Sequence, residues 1–206
     1  MQAKNRSVTE RARREQIVSA AIEVLARDGH TATTFTRIAR HAGLSSTGVI
    51  SYHFADKQEL LREVLTTTAR VAGEHMRPRI EAERGHRERL RARIESNVEL
   101  LAVAPSHLRA LREVLAATAA AQHDAEGDPA GLVSRVSTLE EGLRAGQHDG
   151  AFAAFDPAVM ALAVTGAIDA LVAVPVPVAD PDAVRHRARE LADVFDRATA
   201  PVGTHR

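Results

Sequence analysis

Cysteine is absent from the 206 residues. That excludes a disulfide framework, a thiolate nucleophile and a cysteine zinc site, and it fits a reducing cytoplasm. Aromatics are scarce, with five Phe, one Tyr and no Trp. Long apolar runs are missing too. The first residues are polar and no apolar signal-peptide core follows them, so no secretory leader is expected. The most apolar stretch, 158–174, is too short and too interrupted to span a membrane, and Asp169 near its middle would cost about 2.5–3.5 kcal/mol on insertion. No HExxH or other metal spacing, glycine-rich phosphate loop or GxSxG elbow occurs, and the ten His are scattered, mostly in polar stretches. Hence no catalytic residue, no metal site and no cofactor are expected, and no enzyme. Net charge is zero, but residues 1–71 carry 11 Lys or Arg against 7 Asp or Glu, and residues 72–206 carry 16 against 20. A basic front and an acidic rear suit a head that meets a polyanion on a body that does not.

What the chain has is helix. Ala, Leu, Val and Arg dominate, favouring helix over sheet, and the length allows one large or two small domains. Residues 33–57 organise the rest. Phe35, Ile38, Ala39 and Ala42 recur at helical spacing and mark a buried face. Thr34 stands where a hydroxyl caps the first turn. Gly43 suits the residue just past the helix end because positive φ costs it little. Leu44 plugs the corner, Ser45 or Ser46 caps a second helix, and Val49 and Ile50 point inward. The other side shows Ser46, Thr47, Ser51 and Tyr52, small or hydroxylated groups that can approach phosphates and base edges.

The run Thr33-Thr34-Phe35-Thr36-Arg37-Ile38-Ala39, then Ala42-Gly43-Leu44-Ser45-Ser46, Tyr52-His53-Phe54, and Lys57 followed by Leu60-Leu61 resembles the DNA-binding domain of the TetR family of bacterial transcriptional regulators. The likeness covers about residues 10–70. Gly43 to Phe54 spans one residue more than the commonest family pattern, and Arg37 stands where an acidic residue would complete a capping box. The resemblance implies phosphate positioning by Thr34, Thr36, Arg37, Tyr52, His53 and Lys57, and base or groove contacts by Ser45, Ser46, Thr47, Gly48 and Ser51. Tyr52 and His53 keep an alternative as packing residues under Phe54. The fold implied is all-α: a three-helix helix-turn-helix head and a helical ligand-binding and dimerisation domain, about nine helices in total.

In chain order, residues 1–9 read as a flexible basic arm with Lys4 and Arg6, and 10–55 as the head. Its first helix starts near Thr9 and ends at Gly29, with Ile17, Ala20, Ala21, Val24 and Leu25 inward and Arg11, Arg13 and Arg14 available to phosphates. Asp56 with Glu59 forms a cap signature for a linking helix over 56–78, stopped near Pro78. Residues 79–200 form the rear domain, and 201–206 a tail. Arg84, Arg87, Arg89, Arg91 and Arg93 alternate with Glu81, Glu83, Glu88 and Glu95, which reads as a solvated, ion-paired face. Pro105 ends that helix and Ser106 caps the next. Gln122 to Asp128 reads as a mobile loop. Asp128-Pro129, Asp156-Pro157 and Asp180-Pro181 each open an apolar-periodic segment, Asp as cap and Pro at the first helical position.

The last two helices read as a dimer seam, carried by Val159, Leu162, Val172, Val184, Ala188, Leu191 and Phe195, that joins two copies in a four-helix bundle. Burial within one chain is the open alternative. Asn97, Thr118, Thr165 and Asp169 are polar residues at or beside apolar stripes. They are candidates for an effector pocket or, equally consistent with their placement, core polar groups bonded to backbone. The expected partners are double-stranded operator DNA, a second copy and a small-molecule effector, with no membrane. The expected function is a repressor released by its effector. The alternative is an all-helical sensor or interaction module that does not read sequence.

Overall fold

A computed structural model describes residues 2–121, 132–173 and 180–201. Among these residues there are nine helices and no strand: α1 (Gln2–Ala32), α2 (Phe35–His41), α3 (Gly48–His53), α4 (Lys57–Ala82), α5 (His86–Val103), α6 (Pro105–Ala121), α7 (Leu132–His148), α8 (Pro157–Ala173) and α9 (Pro181–Thr199). The all-α expectation holds. The chain divides into two compact units, and the division falls inside α4, between Arg70 and Val71.

The first unit holds α1 to α3, the front of α4 and, from Ser106, α6. Its core joins Ile17, Ala21, Val24 and Leu25 of α1 to Ile38, Ile50, Phe54, Leu60 and Val64, all essentially without solvent exposure, with Leu61 buried beside them. α1 starts at Gln2, so most of the segment set apart as an arm forms its first turns; nothing in Gln2 to Thr9 breaks a helix. Gly29 interrupts α1 with φ 78°. Glu113 of α6 accepts from the His30 N–H there at 2.9 Å. Ala110 and Val114 of the same helix enter the head core. The expected rear domain, 79–200, therefore gives up α6 to the front unit.

The second unit holds the rest of α4 with α5, α7, α8 and α9. α4 runs through Pro78 to Ala82, beyond the expected stop. Proline removes one helix hydrogen bond, but Pro78 is exposed, so its ring displaces no core packing. α5 packs against α7, α8 and α9 around Leu90, Ile94, Leu139, Leu143, Val164, Ile168 and Phe195. Two of the three Asp-Pro openings hold as read. Asp156 Oδ1 accepts from the N–H groups of Ala158 (2.9 Å) and Val159 (3.2 Å), and Asp180 Oδ1 from those of Asp182 (2.9 Å) and Ala183 (3.2 Å). Asp128-Pro129 and the loop expected over Gln122 to Asp128 lie outside the described residues. Ser106 is not a cap: its hydroxyl donates to Glu23 at 3.1 Å, and Pro105 itself opens α6.

Candidate nucleic-acid interface

The helix-turn-helix is built as its residues dictate. The Thr34 hydroxyl accepts from the Arg37 N–H at 3.3 Å and starts α2. Ile38 and Ala39 are buried beneath it. Gly43 has φ 65°, and the Leu44 N–H reaches back to the Ala39 carbonyl at 2.8 Å, closing the turn. The long span from Gly43 is taken up before α3, which begins only at Gly48. Neither serine caps it. Thr47 stands at the N-cap without a side-chain bond, and its carbonyl accepts from Ile50 and Ser51, each at 3.0 Å.

α3 has two contrasting faces. Ile50 is fully buried, as is Phe54 just beyond the helix end, and both lie in the head core. Ser45, Ser46, Gly48 and Ser51 are exposed, Thr47 is half-buried, and Tyr52 stands out with 75% of its surface exposed. The His53 ring is half-buried and meets Tyr52 edge-on with centroids 5.0 Å apart, so Tyr52 does not pack under Phe54. On α2, Thr34, Thr36 and Arg37 are exposed. Arg37 pairs with Asp28 at 3.2 Å, and Asp28, bonded to Arg27 and facing Arg37, has its carboxyl pKa lowered.

Two basic residues serve the scaffold. Arg14 donates to the His53 carbonyl (2.8 Å) and to Glu63 (2.7 Å), with its guanidinium 4.2 Å from the Phe54 ring centroid. That ties the end of α3 to α1 and α4. The Lys57 ammonium donates to the His30 carbonyl at 2.8 Å, near the end of α1, and burial lowers its pKa. Arg11 and Arg40 are exposed, and neither pairs with a carboxylate among the described residues. The sequence reading did not single out Arg40. Its signal was the absence of any acidic residue within four positions along α2.

Of the four residues expected at an effector pocket, Asn97, Thr165 and Asp169 belong to the second unit and Thr118 to the first. Asp169 is exposed and paired with Arg135 at 2.9 Å, so no buried carboxylate awaits a ligand. The Thr118 hydroxyl donates to the Val114 carbonyl at 2.8 Å, and that residue belongs to the front unit. Asn97 is half-buried and Thr165 buried. A cavity of about 400 Å³ lies between the end of α4, α5, α7 and Phe152, and neither Asn97 nor Thr165 is part of its lining. Its wall is apolar at Ile80, Leu90, Leu139, Leu143 and Phe152, with Arg89 and Arg93 among its polar groups.

The expected seam divides. Val184, Ala188 and Phe195 are buried in their own chain, because α9 lays this stripe on α5. Leu191 and Val172 are half-buried. The three buried side chains are therefore unavailable to a second copy, which corrects the seam. Val159 and Leu162 remain exposed, with 62% and 56% of their surfaces free. With exposed Ala163, Gly166 and Ala170 they form a stripe of apolar and small residues along α8. Among the described residues no helix is long and apolar enough to cross a membrane, and no cluster of His, Asp or Glu could hold a metal ion.

Residues 17–64 match the family model described as bacterial regulatory proteins, tetR family. The HTH-type transcriptional regulator BetI of Stenotrophomonas maltophilia (strain R551-3) is 34% identical over 88 residues, 42% of this chain. The alignment spans 44% of that protein, less than half its length. Among solved structures, a bacterial regulatory protein of the tetR family from Rhodococcus RHA1 superposes with a TM-score of 0.73 at 22% identity, over 92% of this chain and 98% of that one. AibR, crystallised with isovaleryl coenzyme A and operator DNA, superposes with a TM-score of 0.69 at 19% identity, over 92% and 98% of the two chains. Likeness at that identity is likeness of fold.

Proposed function

We infer that this chain, which belongs to the tetR family of bacterial regulatory proteins through residues 17–64, is a cytoplasmic, homodimeric transcriptional repressor whose hold on double-stranded operator DNA is released by a small-molecule effector. The observation that carries this reading is the two-faced α3. Ile50 and Phe54 fix it to the core, while Ser45, Ser46, Gly48, Ser51 and Tyr52 are held in solvent. In the major groove, α3 would bring Ser46, Thr47 and Ser51 to base edges. Thr34, Thr36, Arg37 and Tyr52 would meet flanking phosphates, with His53 and Lys57 beneath them.

One six-residue helix reads too few base pairs for useful specificity. Two copies set about 34–36 Å apart read successive major grooves, so dimerisation belongs to the mechanism. The exposed α8 stripe of Val159, Leu162, Ala163, Gly166 and Ala170 is the face offered to the second copy. Small residues there let two helices approach closely. The effector occupies the second unit, and it lowers operator affinity only by binding the DNA-free state more tightly. α4, which contributes residues to both units, is the element through which such a preference reaches the head. AibR, crystallised with both a coenzyme A ester and operator DNA, supports the reading by analogy.

Gel retardation with the DNA flanking the gene is the test. Specific retardation that Tyr52→Ala abolishes is expected. Equal binding to random duplex, or affinity unchanged in Tyr52→Ala, overturns the reading.

A further inference from the structure

Among the described residues outside the head, the cavity of the second unit is a feature that asks for a ligand. At about 400 Å³ it falls in the lower part of the range of small-molecule sites, roughly 300–1,000 Å³. Most of its wall is aliphatic or aromatic: Leu90 of α5, Leu139 and Leu143 of α7, and Phe152 of the turn after α7. The Phe152 ring is seated there by Gly146, where a Cβ would lie 2.4 Å from two ring carbons.

The charges on this wall are not alike. His86 is paired with Asp149 at 2.9 Å. The Arg89 Nε donates to the Glu83 carbonyl at 2.8 Å. Elsewhere on α5, Arg87 meets Asp196 at 2.8 Å, and Arg91 meets both Asp193 and Glu95. Arg93 differs from all of these. It is half-buried and lines the cavity, and among the described residues it has neither a carboxylate nor a hydrogen-bond acceptor. Burial alone lowers its pKa, and no neighbouring acid offsets that cost. Glu81, also on the wall, is exposed and forms no ion pair with it. A guanidinium carries five donors and remains charged at any ordinary pH. Placing one half-buried without a partner is unfavourable unless an anion arrives to meet it.

We propose that this cavity binds a small apolar monocarboxylate, its chain against Leu90, Leu139, Leu143 and Phe152 and its head paired with Arg93. The proposal rests on the reading of the second unit as the effector domain and names the class of effector. The carboxylate accepts two parallel N–H bonds from the guanidinium fork, and the chain displaces water from the apolar wall. An amine of the same length meets Arg93 with like charge, and an alcohol leaves the guanidinium without its counter-charge.

The experiment is calorimetric titration of the full-length protein, without DNA, using butanoate, octanoate and dodecanoate, with octanol and octylamine as length-matched controls. Saturable binding of at least one acid is expected, with octanol about tenfold weaker or more, the value of a charge-assisted bond. Arg93→Met should lose a similar factor for the acid and none for octanol. Among the described residues Arg93 has no side-chain partner to orphan, so this variant keeps its fold, which circular dichroism verifies. Arg93→Lys, keeping the charge without the fork, should fall between the two. Arg84→Met removes an exposed charge and should bind the acid as the parent does. Saturation by none of the three acids, octanol binding as tightly as octanoate, or undiminished acid binding by Arg93→Met each overturns the proposal. Retardation of operator DNA by Arg93→Met in the absence of acid is measured alongside. Its loss in parent and variant together counts against the regulator reading, while the calorimetry judges the ligand class.

Discussion

Arg14→Ala tests how the recognition helix is held. Arg14 makes three kinds of contact: an ion pair with Glu63 at 2.7 Å, a bond to the His53 carbonyl at 2.8 Å, and a cation–π contact at 4.2 Å from the Phe54 centroid. Its side chain is 35% exposed, so the ion pair is discounted for screening to about 0.5 kcal/mol. The charge-assisted carbonyl bond adds about 1 kcal/mol at such a partly exposed site. The cation–π contact adds about 0.5–1 kcal/mol, and the better helix propensity of Ala returns a few tenths. Loss of about 2 kcal/mol from the closure of the α3 end follows, or roughly a thirtyfold rise in opening. Hydrogen exchange reads this directly at the Phe54 N–H, which donates to the Ile50 carbonyl at 2.9 Å. Exchange there should accelerate about thirtyfold, while amides of α9 keep their rates, because the partners of Arg14 among the described residues all lie in the head. Operator affinity should fall with an unchanged salt slope, since the guanidinium meets protein and not phosphate. Acceleration below about threefold at Phe54, or a salt slope reduced by about one, would refute this assignment.

Other consequences are simpler. Asp56 Oδ1 accepts from the Glu59 N–H at 2.7 Å while Glu59 accepts from the Ala55 N–H at 2.8 Å, a reciprocal box at the start of α4; Asp56→Ala should cost about 1 kcal/mol in urea unfolding. Gly146→Ala gains up to about 1 kcal/mol of helix propensity but drives a Cβ into the Phe152 ring, a cost of about 1–3 kcal/mol. It should lower the melting temperature and close the cavity to ligand; a variant more stable than the parent would count against the packing described. Burial lowers the pKa of His30, His75 and His107 below the ordinary 6.5. Below that value the unfolded chain binds protons that the folded chain refuses, so stability should fall as pH drops through about 6.5 toward the lower folded values. Urea midpoints at about pH 7.5 and 5.5 measure it, and replacing all three with Asn should flatten the dependence.

The head was legible because its signals are local and agree with one another. Thr34 caps, Gly43 turns, and the buried stripe over Ile38 and Ala39 lies within one turn of its cap. Asp156 and Asp180 were legible for the same reason: a carboxylate two or three residues before free N–H groups has little else to do. Periodicity also found the α9 stripe, yet it could not say which helix would cover it. Val184, Ala188 and Phe195 read equally well as seam or core, and α5 decided for core. Asp169 looked buried because its neighbours are apolar, but it faces outward to Arg135, which lies 34 positions earlier. Arg93 was hidden the opposite way. Surrounded in sequence by Glu88, Glu95 and four other arginines, it resembled one more solvated charge, and only the fold shows that the acids pair elsewhere or not at all. α6 in the front unit had no local signal, since Ala110 and Val114 form an ordinary apolar stripe until the helix they cover is known.

The central claim is that the exposed face of α3 reads base sequence in the major groove, twice per dimer. Selection from a pool of random duplexes tests it most directly, run in parallel with the parent protein and with Ser46→Ala combined with Ser51→Ala, both exposed positions outside the core. The parent should enrich a near-palindromic site with half-sites about one helical turn apart, and the double variant should lose preference at particular base positions within each half. No enrichment by the parent, or the same motif returned by both proteins, would contradict it.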